Sequence, residues 1–196
     1  MKLQAESVIE LFRSTGAYLT GHFRLTSGLH SPEYLQCALV LRFPTHAETL
    51  GRSLATSLQT LAASQRIDLV VSPAMGGVII GHEVGRALGV PAIFTERENG
   101  TMTLRRGFSI EPGAVVVVVE DVVTTGGSTR EVIALLRGLG AKVVAAGSII
   151  DRSGGTADLG VPRAALTTMK VTAWKPEECP LCAQGSPVVK PGSRTV

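Results

Sequence analysis

Val115-Val116-Val117-Val118-Val119-Glu120-Asp121-Val122-Val123-Thr124-Thr125-Gly126-Gly127-Ser128-Thr129 is the stretch that decides the fold. Five consecutive valines favour an extended chain, because β-branched side chains pack well on a pleated surface and lose rotamers in a helix. A strand that is apolar on both faces belongs inside a parallel sheet covered by helices on either side. The run predicts a strand over 115–119, with two adjacent carboxylates at its carboxyl end. Open α/β sheets bind their ligands at that end. The turn Thr124 to Gly127 comes next, and a helix carries Val132, Leu135, Leu136 and Leu139 on one face, with Gly140 beyond it. A glycine turn at a helix N-terminus offers backbone N–H groups to an anion. Carboxylates beside such a turn suit a ligand with both hydroxyls and a phosphate: a sugar phosphate.

The same rhythm extends outward. A buried strand is expected at 68–72, a glycine turn at 73–77, and a helix at 78–88 closed by Gly89. A strand at 92–95 and another at 101–105 flank Glu98-Asn99-Gly100, which predicts a hairpin. Residues 143–150 read as a further strand. Upstream, a helix is expected over 3–15 and a turn-punctuated extended stretch over 18–34. A second helix is expected over 45–63, with Thr45 and Glu48 at capping-box spacing. The tail from about 175 is rich in Pro, Gly and Ser and reads as irregular. The fold class is α/β: a central parallel sheet flanked by helices, in one domain over 1–196 without repeats.

Composition removes several classes. The chain has 196 residues, 44% of them hydrophobic and 18% charged, which is too apolar for a disordered segment. One Trp, two Tyr and five Phe leave few rings for stacking on single-stranded nucleic acid. A net charge of +3 suits small anions better than a long polyanion. The N-terminus lacks the apolar stretch of a signal peptide, and the longest apolar run, Ala114 to Val119, cannot span a bilayer. Three cysteines, an odd number, point to a cytoplasmic protein rather than a disulfide scaffold. Neither G-x-x-x-x-G-K-[ST] nor G-x-G-x-x-G occurs. Cys179-Pro180-Leu181-Cys182 has the spacing of half a zinc site, but structural zinc needs four ligands. His22, His30, His46 and His82 are remote in sequence, so the pair reads as structural cysteines. His82-Glu83 lacks the second histidine of H-E-x-x-H and reads as helix surface.

The whole run from Val115 to Thr129 resembles the phosphoribosyl pyrophosphate (PRPP) signature of type I phosphoribosyltransferases. The resemblance implies that Glu120 and Asp121 hold the ribose hydroxyls. It also implies that the loop Val122, Val123, Thr124, Thr125, Gly126, Gly127 and Ser128 holds the 5′-phosphate. Ser72-Pro73-Ala74-Met75-Gly76-Gly77 looks like the family's pyrophosphate loop, with Ala74, Met75 and Gly76 against the diphosphate. Asp121 is implied to be catalytic. Mg²⁺ is expected as cofactor through substrate oxygens and water, without direct protein ligands, and a homodimer is expected.

Gly21-His22-Phe23-Arg24-Leu25-Thr26-Ser27-Gly28-Leu29-His30-Ser31-Pro32-Glu33-Tyr34-Leu35-Gln36 resembles the N-terminal hood, here about residues 1–40, of orotate phosphoribosyltransferases. That resemblance implies transfer of the phosphoribosyl group of PRPP to orotate, a step of UMP biosynthesis. Thr26, Ser27, Tyr34, Thr124 and Arg152 would contact the orotate. A guanidinium binds carboxylates bidentately, which suits Arg152. Three departures stand out. Many family members have Lys at the positions of Thr26 and of Met75-Gly76. Their catalytic loop reads R-K-x-x-K-x-H-G, whereas here Glu96 to Gly107 offers Arg97, Arg105 and Arg106. Arg97 is therefore expected to serve both in PRPP binding and in catalysis. Two other readings stand beside this one: a phosphoribosyltransferase for a purine base, and a PRPP-binding regulator. Neither a nucleic-acid nor a membrane partner is expected.

Overall fold

The computed structural model describes residues 3–25, 27–63 and 65–191. In chain order its elements are α1 (Ala5–Ser14), β1 (Tyr18–Arg24), β2 (His30–Leu35), α2 (Cys37–Leu41), α3 (Pro44–Leu61), β3 (Leu69–Pro73), α4 (Gly77–Leu88), β4 (Ala92–Glu98), β5 (Thr101–Leu104), β6 (Val115–Val123), α5 (Gly127–Gly138), β7 (Lys142–Asp151), β8 (Arg163–Thr168) and α6 (Pro180–Ala183). The main sheet has six strands in the order β5-β4-β3-β6-β7-β8. All its neighbours run parallel except β5, which folds back on β4 as an edge hairpin. The loop of that hairpin is Asn99-Gly100, both at positive φ as a two-residue turn demands.

The valine run sits at the centre of the sheet. Val117 and Val119 face one layer, packed with Leu50, Leu54 and Leu58 of α3 and Ile80 and Val84 of α4. Val116 and Val118 face the other, against Val132, Ile133 and Leu136 of α5. A strand clad on both faces has no solvent side on which to place polar residues, which is why the run does not alternate. The α1 residues Val8 and Phe12 join the first layer, so the N-terminal segment shares its core.

Several expectations are corrected. β6 runs four residues beyond Val119, to Val123, because β7 continues beside it from Glu120↔Ser148 to Val123↔Asp151. The two carboxylates thus lie within the strand rather than after it. Thr45 does not cap α3: Phe43 occupies the cap without a side-chain bond, and Pro44 opens the helix. Glu48 instead pairs with Arg52 at 2.5 Å and Arg86 at 3.3 Å. β8 and α2 lie in stretches with no strong periodicity and were not foreseen. The tail carries a short 3-10 turn, Pro176–Glu178, and then α6. Among the described residues, no helix is long and apolar enough to cross a membrane.

β1 and β2 form a separate antiparallel ribbon. Their register slips by one residue between Thr20 and Phe23, as in a β-bulge. The extra residue lets His22 and Phe23, though adjacent, both be buried.

Candidate active site

The carboxyl end of β6, the end of β7 and the ribbon converge on one cavity of about 410 Å³, a size typical for small-molecule sites. Its lining includes Leu25, Ser27 and Tyr34 from the N-terminal segment, Asp121, Thr124 and Thr125 from the β6–α5 run, and Arg152. Residues far apart in sequence are thereby brought together. A wider groove of about 780 Å³ runs along α1 from Leu3 to Ser14. It has no glycine turn in its lining.

Asp121 sits against the β3–α4 turn. A Cβ placed on Gly76 would lie 2.5 Å from Asp121 Oδ2, so only glycine lets this backbone approach the carboxylate. The Ala74–Met75 peptide in the same turn is cis, and the Met75 side chain is 83% exposed. Burial raises the Asp121 pKa, opposed by the N–H of Val122, which donates to Oδ1 at 2.9 Å. Cys37 also meets this carboxylate. Burial pushes its thiol well up, and Asp121 raises it further, so Cys37 keeps its proton and donates it toward Asp121.

Glu120 takes the opposite side of the strand. Its carboxyl is pushed up to about 7 by burial, against the lowering effect of the Thr129 hydroxyl that donates to it. Thr129 belongs to the first turn of α5, so the acidic pair and the glycine turn are tied together. Gly126 turns the chain at φ 77°, and a Cβ there would strike Leu159 Cδ2 at 2.4 Å. Arg130 locks the same turn by donating to the carbonyls of Thr125 at 2.8 Å and Asp158 at 2.9 Å. The unbonded N–H groups that begin any α-helix are thereby held in place at the start of α5.

Arg152 faces the cavity. It is half-buried, and its Nε has no hydrogen-bond partner among the described residues. Burial lowers its pKa while Tyr34 and Glu33 support the charge. An unsatisfied guanidinium N–H is costly unless an anion meets it. The preceding Asp151 is buried and positions this corner. It accepts bonds from the Ser153 N–H at 2.8 Å, the Ser153 hydroxyl at 2.6 Å and Arg163 at 2.6 Å. Burial acts against its charge, but Ser153 and Arg163 outweigh that and hold the carboxyl below its ordinary value.

The hairpin arginines lie elsewhere. Arg97 pairs with Glu131 of α5 at 2.8 Å and donates to the Gly100 carbonyl at 2.6 Å. Arg105 is 3.6 Å from Glu98, and Arg106 pairs with Glu96 at 2.7 Å. None of the three lines the cavity. Thr26 lies outside the described residues. Sequence reasoning missed Cys37, Thr129 and Arg130. Of these, Thr129 was within the quoted run, where a hydroxyl one turn into the helix was the available signal. Cys37 carried none, because its contact with Asp121 spans the fold.

A family model described as a phosphoribosyl transferase domain matches residues 45–177. The fold and the cavity thus define the class as phosphoribosyltransferase. An orotate phosphoribosyltransferase of Pelotomaculum thermopropionicum is 56% identical over 191 residues, covering 97% of this chain and 98% of the relative. One of Heliobacterium modesticaldum is 54% identical over 193 residues, with 98% and 100% covered. The crystal structure of orotate phosphoribosyltransferase from Aeropyrum pernix matches with a TM-score of 0.66 at 28% identity, over 83% of this chain and 94% of that one. The chain belongs to the orotate phosphoribosyltransferase family.

Proposed function

We propose that this protein transfers the phosphoribosyl group of PRPP to orotate, giving orotidine 5′-monophosphate and pyrophosphate. The observation that carries the assignment to orotate is Arg152, whose Nε has no partner among the described residues and which shares a cavity with Tyr34, Ser27 and Asp121. Orotate is a flat ring bearing a carboxylate. Arg152 meets the carboxylate, and Tyr34, linked to Phe23 with ring centroids 5.8 Å apart, supplies an aromatic wall.

The orotate ring nitrogen forms a bond to the anomeric carbon as the bond from that carbon to the diphosphate oxygen breaks. The electron pair leaves with the diphosphate, and the proton released from the ring nitrogen passes to water or to the departing diphosphate. Positive charge grows on the ribose, so preorganised carboxylates beside it stabilise the transition state. Asp121 and Glu120 accept the ribose hydroxyls, and Thr124, Thr125 and the first N–H groups of α5 hold the 5′-phosphate. Ala74, Met75 and Gly76 present backbone to the diphosphate next to Asp121. Holding both substrates in line lowers the entropic cost of their meeting.

Mg²⁺ suits this site without direct protein ligands: PRPP oxygens and waters would hold the ion, and the Asp121 carboxylate in the cavity wall would accept hydrogen bonds from those waters. When bound, the ion neutralises charge on the diphosphate. Arg97 is proposed to add positive charge from the hairpin, exchanging Glu131 for the leaving group. A homodimer and a cytoplasmic location complete the reading. Exposed Met75 and Ile79 support the first, and three unbridged cysteines support the second.

The decisive assay supplies PRPP, Mg²⁺ and a panel of bases to the purified chain. Orotate should be consumed. Turnover of hypoxanthine, guanine or adenine alone would overturn the substrate assignment.

A further inference from the structure

The ribbon and the tail meet at four side chains that the reaction does not use. His22 of β1, His30 of β2, and Cys179 and Cys182 around α6 bring one donor atom each within 4.8 Å of one another. His22 Nε2 lies 2.9 Å from His30 Nδ1 and 3.5 Å from Cys179 Sγ. Cys182 Sγ lies 3.2 Å from His30 Nδ1 and 3.7 Å from His22 Nε2. Zinc bonds of about 2.0–2.1 Å to nitrogen and about 2.3 Å to sulfur imply tetrahedral edges of about 3.3–3.8 Å. The observed spacings scatter around those edges, so small side-chain shifts about a shared centre would complete the polyhedron. The reading of Cys179 and Cys182 as merely structural is therefore revised: the remote histidines are remote only along the chain.

Three further features argue for a built site. His22, His30 and Cys179 are buried, in a molecule where most polar groups reach water. His22 Nδ1 lies 2.8 Å from the Ser186 carbonyl and can donate to it, which fixes the tautomer and aims the Nε2 lone pair at the cluster. Ligating histidines characteristically have such a partner on the second ring nitrogen. The backbones of both histidines are also tied to the tail on either side of the cysteine pair. His30 and Trp174 exchange N–H···O bonds of 2.8 and 2.9 Å, and the Val189 N–H donates to the His22 carbonyl at 2.8 Å.

We propose that His22, His30, Cys179 and Cys182 bind one zinc ion that clamps the C-terminal tail to the β1–β2 ribbon. Two thiolates and two imidazoles in a tetrahedral set select zinc over Mg²⁺ or Ca²⁺, which prefer oxygen ligands. Four protein ligands close the coordination sphere, so the ion is structural. The proposal is independent of the substrate assignment. Its consequence is that the ribbon carrying Tyr34 is anchored from behind by metal, in a chain whose ribbon has only two strands of its own.

The test uses the full chain purified without a histidine tag, desalted, and analysed by elemental mass spectrometry. Close to one zinc per chain is expected, falling to background in Cys182→Ser and His30→Ala, while circular dichroism reports that the variants remain folded. Should either variant fail to fold, cobalt(II) substitution of the unmutated chain decides. A thiolate-to-cobalt charge-transfer band with intense visible bands supports a tetrahedral thiolate site. Absence of these bands, absence of zinc before and after reconstitution, or a Cys179–Cys182 disulfide in the purified chain would each overturn the proposal. Zinc retained at full stoichiometry in folded Cys182→Ser would do so as well.

Discussion

The β6–α5 run and the His/Cys cluster assemble their polar groups in opposite ways. From Glu120 to Arg130 the groups are neighbours in sequence, and a strand, a turn and one helical turn suffice to aim them. In the cluster, His22 and His30 come from two strands and Cys179 and Cys182 from the far end of the chain. The first arrangement is fixed by local geometry and can be read along the chain. The second exists only after the ribbon has bulged and the tail has crossed over it.

This contrast predicts separable failures: substitutions in the run should alter catalysis or its pH dependence while leaving bound zinc intact. Asp121→Asn carries the largest effect. Steady-state kinetics should show kcat/KM for PRPP lower by about 10²–10³-fold, the range for loss of a transition-state electrostatic partner. Unchanged kinetics would remove Asp121 from the reaction. Loss of zinc in the same variant would show that the two regions are coupled.

Arg152→Ala tests the place where the run meets the ribbon. A charge-assisted hydrogen bond is worth about 1.5–3 kcal/mol, so the KM for orotate should rise by about 10–100-fold. The KM for PRPP should change much less. Equal effects on both would argue against pairing with a carboxylate.

Glu120→Gln gives the smallest change and sharpens the electrostatics of the run. In the fold the Glu120 pKa is about 7, against an ordinary value of 4.5, so the native state binds the proton more tightly than the unfolded chain. Stability from this group is present at low pH and declines as pH rises between those values. At pH 8 the glutamine variant should therefore be more stable, by at most about 3 kcal/mol. Denaturant titrations of both proteins at pH 5 and pH 8 measure this, and a gain of equal size at both would contradict it. PRPP binding by the unmutated chain should weaken as pH falls through about 7, and the variant should lack that step.

Much of the scaffold was legible because periodicity reports burial. Five valines without alternation placed β6 in the middle of a doubly covered sheet, and Asn99-Gly100 foretold the hairpin. The end of β6 was misjudged because Glu120 and Asp121 are poor strand formers that pairing with β7 nonetheless holds extended. β8 escaped notice because Arg163–Thr168 is a weakly patterned edge strand whose position is set by its neighbour. In the candidate site, the acidic pair, the glycine turn and Arg152 were visible as residue types. The hairpin arginines were visible too, but their glutamate partners occupy them in this structure.

The sequence alone thus determined the α/β sheet, the glycine turn after β6 and the family, since each is written in contiguous residues whose physics is local. The resemblance already put Tyr34 and Arg152 at one ligand, and both line one cavity; tertiary structure alone decided that Cys37 meets Asp121 and that two histidines meet two cysteines. The physical reason is that such contacts depend on chain crossings. Their positions follow from how whole layers pack, and no spacing along the chain encodes them.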